Sequence, residues 1–359
     1  MSFNKKTGGI ISAVLIASIV LSGCGLLGGE EKKKIDPPQK VTYEDAGKAS
    51  TKDAVTEKKK VATDKKEAVE NTVMTELYLI DKEGYVVPQT IPLPNAAGIA
   101  GQAIEYLVEN GRVTEMLPND FKAVLPADTQ SSVNIKDGVA TVDFSKEFKT
   151  YKKADELRIL QAITWTLTQF ASVETVKIQI NGKELTEMPV NGTPISENLS
   201  RKDGINIDAS DVLDIANTKA VTVYYLGGEE GYSYYVPVTR RVDKEVTDNI
   251  EAVVNELVVG PNYTSNLLSD FASSVKLLDK PKIENGKVTL NFNEAIFGSF
   301  KEKIVSKHLL NSLVLSLTEQ EGIESVSILV NGKAEIVNEK GEKLSTPVTR
   351  PEKLNTGSF

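Results

Sequence analysis

The chain has 359 residues, 40% of them hydrophobic, with a formal net charge of −8, one cysteine and one histidine. That length supports two domains of ~100–200 residues each. The acidic balance argues against nucleic acid, which demands a basic face, and a lone cysteine rules out an intrachain disulfide or a cysteine-based metal site.

Residues 1–23 read as a secretory signal. Lys5 and Lys6 form a positive start, and Ile10 to Val20 form an apolar run shorter than the ~20 residues a spanning helix needs. Leu21-Ser22-Gly23-Cys24 then has the pattern at which a bacterial lipoprotein is cleaved and acylated. Cys24 is the expected lipidation site. Two acyl chains there would hold the protein stably on the outer face of the cytoplasmic membrane, since each buried CH₂ contributes ~0.8 kcal/mol.

Residues 24–72 form the expected tether. Lys, Glu, Asp, Ala, Val and Thr dominate it, and its few apolar side chains are small, so it cannot bury enough surface to offset its ordering entropy. Lys52 to Glu70 has weak helical propensity. As a coil, such a spacer spans roughly 35–40 Å.

The remainder repeats itself. Thr141-Val142-Asp143-Phe144 matches Thr289-Leu290-Asn291-Phe292. Val176, Ile178 and Ile180 match Val326, Ile328 and Val330, and Asn181-Gly182-Lys183 matches Asn331-Gly332-Lys333. A repeat of this length is a tandem domain. The expected boundaries are 73–203 for the first domain, 204–219 for a linker and 220–359 for the second.

The two copies are read together in chain order. Leu77 to Ile80 and Val221 to Tyr225 are β-type runs. Each passes through a Glu-Gly turn into a second run, Tyr85 to Val87 or Tyr232 to Val236, expected to end at Pro88 or Pro237. Apolar periodicity predicts a helix over Ala97 to Glu109 and over Val246 to Val259, the latter stopped by Gly260-Pro261. A hairpin follows. It joins Ser132 to Ile135 with Val139 to Phe144 through Asp137-Gly138, and Val275 to Ile283 with Val288 to Phe292 through Asn285-Gly286. A long helix carries the stripe Leu157, Leu160, Ile163, Leu167 and Phe170, or Leu310, Leu313 and Leu317. A last strand, Thr175 to Ile180 or Ser325 to Val330, ends at Asn-Gly-Lys. The order β-β-α-β-β-α-β predicts an α+β fold, a two-layer sandwich in each domain.

No catalytic constellation emerges, and no cofactor or metal site is expected. His308 aligns with Arg158 and lies roughly 180–200° around its helix from Leu310 and Leu317, which reads as a solvated side chain rather than a triad member. Glu229-Glu230 reads as a solvated loop. Gly227-Gly228 and Gly98-x-x-Gly101 lack the strand–turn–helix context of a dinucleotide site. Trp165 lies half a turn off the leucine stripe, at the helix edge or the inter-domain contact. Tyr224, Tyr225, Tyr232, Tyr234 and Tyr235 form a dense cluster. It is the candidate interaction surface, weighed against a cross-strand ladder that only stabilises the hairpin.

The lipobox, the charged tether and the two copies with their hairpins, leucine-rich helices and Val-x-Ile-x-Ile/Val-Asn-Gly-Lys strands resemble the GerMN family. The resemblance implies a fold related to small ring-building modules. It implies a non-enzymatic lipoprotein of sporulation and germination, on the mother-cell membrane, supporting the channel between mother cell and forespore. Implied partners are channel proteins of the intermembrane space, with ring-type assembly and peptidoglycan contact as further expectations. Two alternatives from the residues alone are a solute-binding lipoprotein of a transporter and a cell-wall glycan binder.

Overall fold

The computed structural model describes residues 72–356 apart from 211, 213, 230 and 299–302. Cys24, the signal segment, the tether with its weak helix, and Glu230 lie outside the described residues.

The first repeat opens with an antiparallel hairpin, β1 (Thr72–Asp81) and β2 (Val86–Pro94), followed by α1 (Ile99–Glu105) and the short β3 (Phe121–Lys122) on β1. A second hairpin, β4 (Ser131–Lys136) and β5 (Val139–Phe144), leads through α2 (Glu156–Leu167) to β6 (Thr175–Ile180) and β7 (Lys183–Glu184). These strands form one sheet in the order β4-β5-β6-β7, with β5 and β6 parallel because α2 carries the chain back between them. The second repeat has β8 (Thr218–Glu229), β9 (Tyr232–Asp243), α3 (Asn249–Val259), β10 (Lys282–Glu284), β11 (Lys287–Phe292), α4 (Lys307–Thr318), β12 (Ser325–Val330) and β13 (Val348–Thr349). Its sheet has the order β10-β11-β12-β13. The expected mixed α+β order holds in both tandem domains, with extra two-residue strands.

Local chemistry explains the regularity. Ala140, Val142 and Phe144 alternate inward on β5, and Val176, Ile178 and Ile180 do so on β6. Asp137-Gly138 and Asn285-Gly286 both take positive φ at the two central positions, the twist a two-residue hairpin needs. The Asn-Gly strand ends are pinned in the same way in each copy. Asp143 accepts the Gly182 N–H at 3.0 Å, and Asn291 accepts the Gly332 N–H at 2.8 Å.

Three expectations are corrected. First, Pro88 and Pro237 do not end their strands; β2 and β9 run through them. Each faces away from its hairpin partner, so the missing N–H breaks no ladder bond, and Pro92 and Pro94 share that edge with Pro88. Second, α1 spans Ile99–Glu105 rather than reaching Glu109. The Leu107 carbonyl is taken by the N–H groups of Val124 and Leu125, both at 2.9 Å, which pulls the chain out of helix. In the second copy Asp248 caps the helix through the N–H groups of Ile250 and Glu251, so it starts later than Val246. Third, the strand expected over Val275 to Ile283 shrinks to Lys282–Glu284, because Pro281 interrupts it.

The long helix is covered on more than its leucine stripe. From Ile159 to Leu167 every side chain of α2 is buried, while Leu157, on the predicted stripe, is exposed. The β1–β2 hairpin packs on the far side, where the Thr166 hydroxyl accepts the Tyr78 N–H at 3.1 Å. A helix buried all round must be sandwiched between two layers.

Glu156 opens α2 as a buried carboxylate. It accepts N–H groups of Val190 (2.9 Å), Asn191 (2.6 Å) and Thr193 (2.9 Å) and the Tyr151 hydroxyl (2.8 Å). Burial alone would push its carboxyl up, but these donors hold it down at about 2. The stability it supplies is therefore full above the unfolded value of ~4.3 and disappears as pH falls toward about 2. Glu156→Gln is expected to cost about 2 kcal/mol at neutral pH, because the amide turns a donor toward N–H groups. Thermal melts across the acid range should show this loss at neutral pH and a shallower decline below pH ~4 than in the parent chain.

Candidate functional site

The two repeats meet at a seam built from equivalent residues of both. Strands β2 and β9 lie side by side, and the segment leaving each repeat crosses to the hairpin of the other. Ile205, just past the first repeat, accepts the Thr239 N–H of β9 at 2.9 Å and donates its own N–H to the Thr239 hydroxyl at 2.9 Å. Leu354, near the end of the second, does the same with Thr90 of β2, at 2.9 and 2.8 Å. The next residue of each arm is an asparagine. Asn206 accepts the Val86 N–H and donates to the carbonyls of Val86 and Pro237, at 2.7–2.8 Å. Asn355 accepts the Tyr235 N–H and donates to the carbonyls of Tyr235 and Pro88, again at 2.7–2.8 Å. Both take positive φ, 45° and 54°, which asparagine tolerates better than most residues. The seam is thus a pseudo-two-fold clasp. Proline removes the donor at one position of each hairpin edge, and the opposing arm satisfies the donors that remain.

Beneath the clasp lies a charged cluster. Arg201 pairs with Glu319 at 2.7 Å, and Arg350, at the equivalent position, reaches Glu319 at 3.5 Å and Glu76 at 3.6 Å. The Tyr224 hydroxyl donates to Glu319 at 3.1 Å, and that of Tyr78 to Glu76 at 3.3 Å. Arg201 covers the Trp165 ring at 4.4 Å, and Arg350 covers Tyr224 at 5.4 Å. Burial would raise the Glu319 carboxyl, but Arg201 and Arg350 together hold it below the ordinary carboxylate range. Burial pushes both Tyr78 and Tyr224 up, so they stay protonated donors.

The structure redistributes the candidate residues. The tyrosine cluster is not a surface: Tyr224, Tyr225, Tyr234 and Tyr235 are all buried, and only Tyr232 is half-exposed. Their hydroxyls are committed internally. Tyr225 donates to the Glu256 carbonyl at 3.0 Å, and Tyr234 donates to Asp81 of the first repeat at 2.8 Å. The alternative purpose, stabilising the hairpin, extends across the seam. His308 is half-buried rather than solvated, with Nδ1 3.2 Å from the Tyr235 hydroxyl, because β9 packs against the start of α4. Trp165 is fully buried at the seam, where its indole N–H donates to the Gly204 carbonyl at 3.3 Å. Glu229 is exposed as expected and pairs with Lys82.

A cleft of about 400 Å³ opens beside the seam, lined by Asp81, Lys82, Glu83, Asp120, Lys122 and Arg158 among others. Its charges largely satisfy one another: Lys82 with Asp120 at 3.4 Å, and Asp155 with Lys122 and Arg158 at 3.3 and 3.2 Å. Burial raises the Asp81 carboxyl, but the Tyr234 hydroxyl and the Tyr85 N–H both bond it. Among the described residues, no group of three or more His, Cys, Asp or Glu is arranged to hold a metal ion, and no helix is long and apolar enough to cross a membrane. The arrangement joins the two repeats.

Sequence reasoning missed Arg201, Asn206, Glu319, Arg350 and Asn355. A signal was present, since Arg201-Lys202-Asp203-Gly204-Ile205-Asn206 and Arg350-Pro351-Glu352-Lys353-Leu354-Asn355 are a further repeated pair. Arg201 to Asp203 close the stretch assigned to the first domain, Gly204 to Asn206 open the expected linker, and Arg350 to Asn355 lie near the end of the stretch assigned to the second domain.

The family profile described as "Germane: Sporulation and spore germination" matches residues 76–186 and 222–335, one match per repeat. The chain belongs to this family. It is 56% identical, over 99% of its length and the whole of the relative, to the spore germination protein GerM of Bacillus subtilis (strain 168). The solved tandem GerMN domains of the sporulation protein GerM from Bacillus subtilis superpose with a TM-score of 0.76 at 59% identity, covering 79% of this chain and all of that one. The resemblance drawn from the hairpins and Asn-Gly-Lys strand ends is therefore confirmed, as is the pair of tandem domains.

Proposed function

We propose that the chain is a non-enzymatic lipoprotein, anchored through acylated Cys24 on the outer face of the cytoplasmic membrane. There it supports assembly of the channel that joins mother cell and forespore, by contacts with channel proteins in the intermembrane space. The observation that carries this reading is the near-complete match to a spore germination protein, with both repeats and the seam present in one chain. The seam supports it physically. Side chains capable of acid–base work are paired with one another, and two modules are held in one fixed relation, as a scaffold requires. The proposed boundaries of signal (1–23), tether (24–72), modules (73–203 and 220–359) and linker (204–219) give the anchor a reach of roughly 35–40 Å.

A fluorescent fusion with intact signal and Cys24, followed through growth and spore formation, tests this reading. Enrichment around the engulfed forespore is expected, with loss of membrane association on Cys24→Ala and dispersal when channel proteins are deleted. A uniform signal throughout growth would overturn it in favour of a solute-binding role.

A further inference from the structure

The sheets of the two repeats end in different edges. In the first repeat the edge is β4, six residues paired to β5 along their whole length. Ser145 donates its N–H to the Gln130 carbonyl, and this fixes the phase of the ladder. Alternation then turns the backbone groups of Ser132, Asn134 and Lys136 toward β5 and those of Ser131, Val133 and Ile135 toward the open side. In the second repeat the residue equivalent to Val133 is Pro281. It has no N–H to offer, its strand is cut to Lys282–Glu284, and Lys280 and Lys282 flank it. Proline, lysine and brevity are the standard means of blunting an edge against strand addition. Of these two equivalent edges, that of the second repeat is blunted and that of the first is open.

We infer that the open β4 edge pairs this protein with a second copy of itself, antiparallel about a two-fold axis through Val133, to give a sheet continuous across two chains. The strand is complementary to itself in that register. Val133 faces Val133, Ser131 faces Ile135, Ser132 faces Asn134 and Lys136 faces the neutral Gln130, so no like charges meet. Residues 131, 133 and 135 all present outward-facing donors and acceptors, so parity and hydrogen bonding agree. Val133 and Ile135 are half-buried at the rim of the core, and the added strand completes their cover. Because the edge of the second repeat is blunted, pairing stops at two chains instead of propagating into a filament.

The chain from residue 25 onward contains no cysteine and keeps every described residue, so it suits both hydrodynamic and cross-linking tests. Sedimentation should show a concentration-dependent monomer–dimer equilibrium. Val133→Pro installs what the second repeat already has: it is expected to shorten β4 and lower the melting temperature as well as weaken association about tenfold or more. Ser132→Lys with Asn134→Lys sets lysine opposite lysine on the exposed face and should weaken association as much with the melting temperature unchanged, since it does not touch the core. Under oxidation, a mixture of Ser132→Cys and Asn134→Cys chains should cross-link well above either chain alone, since only unlike positions face each other. A parent chain that stays monomeric, a dimer indifferent to these substitutions, or equal cross-linking in the single-variant samples would overturn the proposal. Capture of a different protein's strand by the same edge with no self-association would do so too.

Discussion

Glu319→Leu is expected to lower the unfolding free energy by about 3–5 kcal/mol, the usual cost of removing one member of a buried ion pair. Glu319 is the carboxylate shared by Arg201 and Arg350, and it also accepts from Tyr224. Without it Arg201 keeps the rings, the Thr168 hydroxyl and the Trp165 carbonyl but no carboxylate, whereas Arg350 still reaches Glu76. Pairing the change with Arg201→Met should therefore recover part of the loss, since no uncompensated charge then remains between Trp165 and Tyr78. A double-mutant cycle by chemical denaturation measures this. If the two single losses simply add, the cluster is not a coupled unit. The sign with pH follows from the lowered carboxyl. Its contribution is complete above the unfolded glutamate value of ~4.3 and is lost as pH falls through the lower folded value. The Glu319→Leu chain should therefore lose less stability on acidification than the parent.

Asn355→Ala is the second large effect. It removes three hydrogen bonds at once and leaves the Tyr235 N–H and the carbonyls of Pro88 and Tyr235 without partners, at a cost of about 2–4 kcal/mol. Alanine also tolerates the 54° φ poorly, which adds about 1 kcal/mol. Asn355→Gly separates the two contributions, because glycine accepts the backbone geometry but supplies no amide. The distinguishing readout is spatial. Hydrogen exchange should accelerate at Thr90 of the first repeat, which the adjacent Leu354 holds, although the substitution lies at the far end of the second. Asn206→Ala should mirror this by loosening Thr239 of β9. Exchange that changes only around residue 355 would mean that the arms are passengers on two independent domains.

Much of each repeat was legible because its signals are local. Asp137-Gly138 and Asn285-Gly286 specify their turns through φ preferences that no distant contact must enforce, and both hairpins formed there. Asn181-Gly182 and Asn331-Gly332 likewise mark true strand ends. Misreadings arose where a local rule met a non-local partner. Proline stops a strand only if its N–H was needed, and for Pro88 and Pro237 that side faces the other repeat. The tyrosine cluster has the composition of a surface patch, yet its hydroxyls are consumed by Asp81, Glu256, Glu319 and His308. Position in space, not residue type, made them interior.

By itself the sequence determined that this chain holds two copies of one α+β module, where their hairpins turn, and the family to which they belong. All three rest on periodicity, on turn chemistry and on self-similarity along the chain. Only the tertiary structure decided that the copies form a pseudo-symmetric clasp with Arg201, Arg350 and Glu319 at its centre. That arrangement depends on hydrogen bonds between residues far apart in sequence, such as Thr90 with Leu354 and Ile205 with Thr239. No local propensity encodes such pairings; they follow from burying the two hairpins against each other, which obliges every donor left on their edges to find a partner.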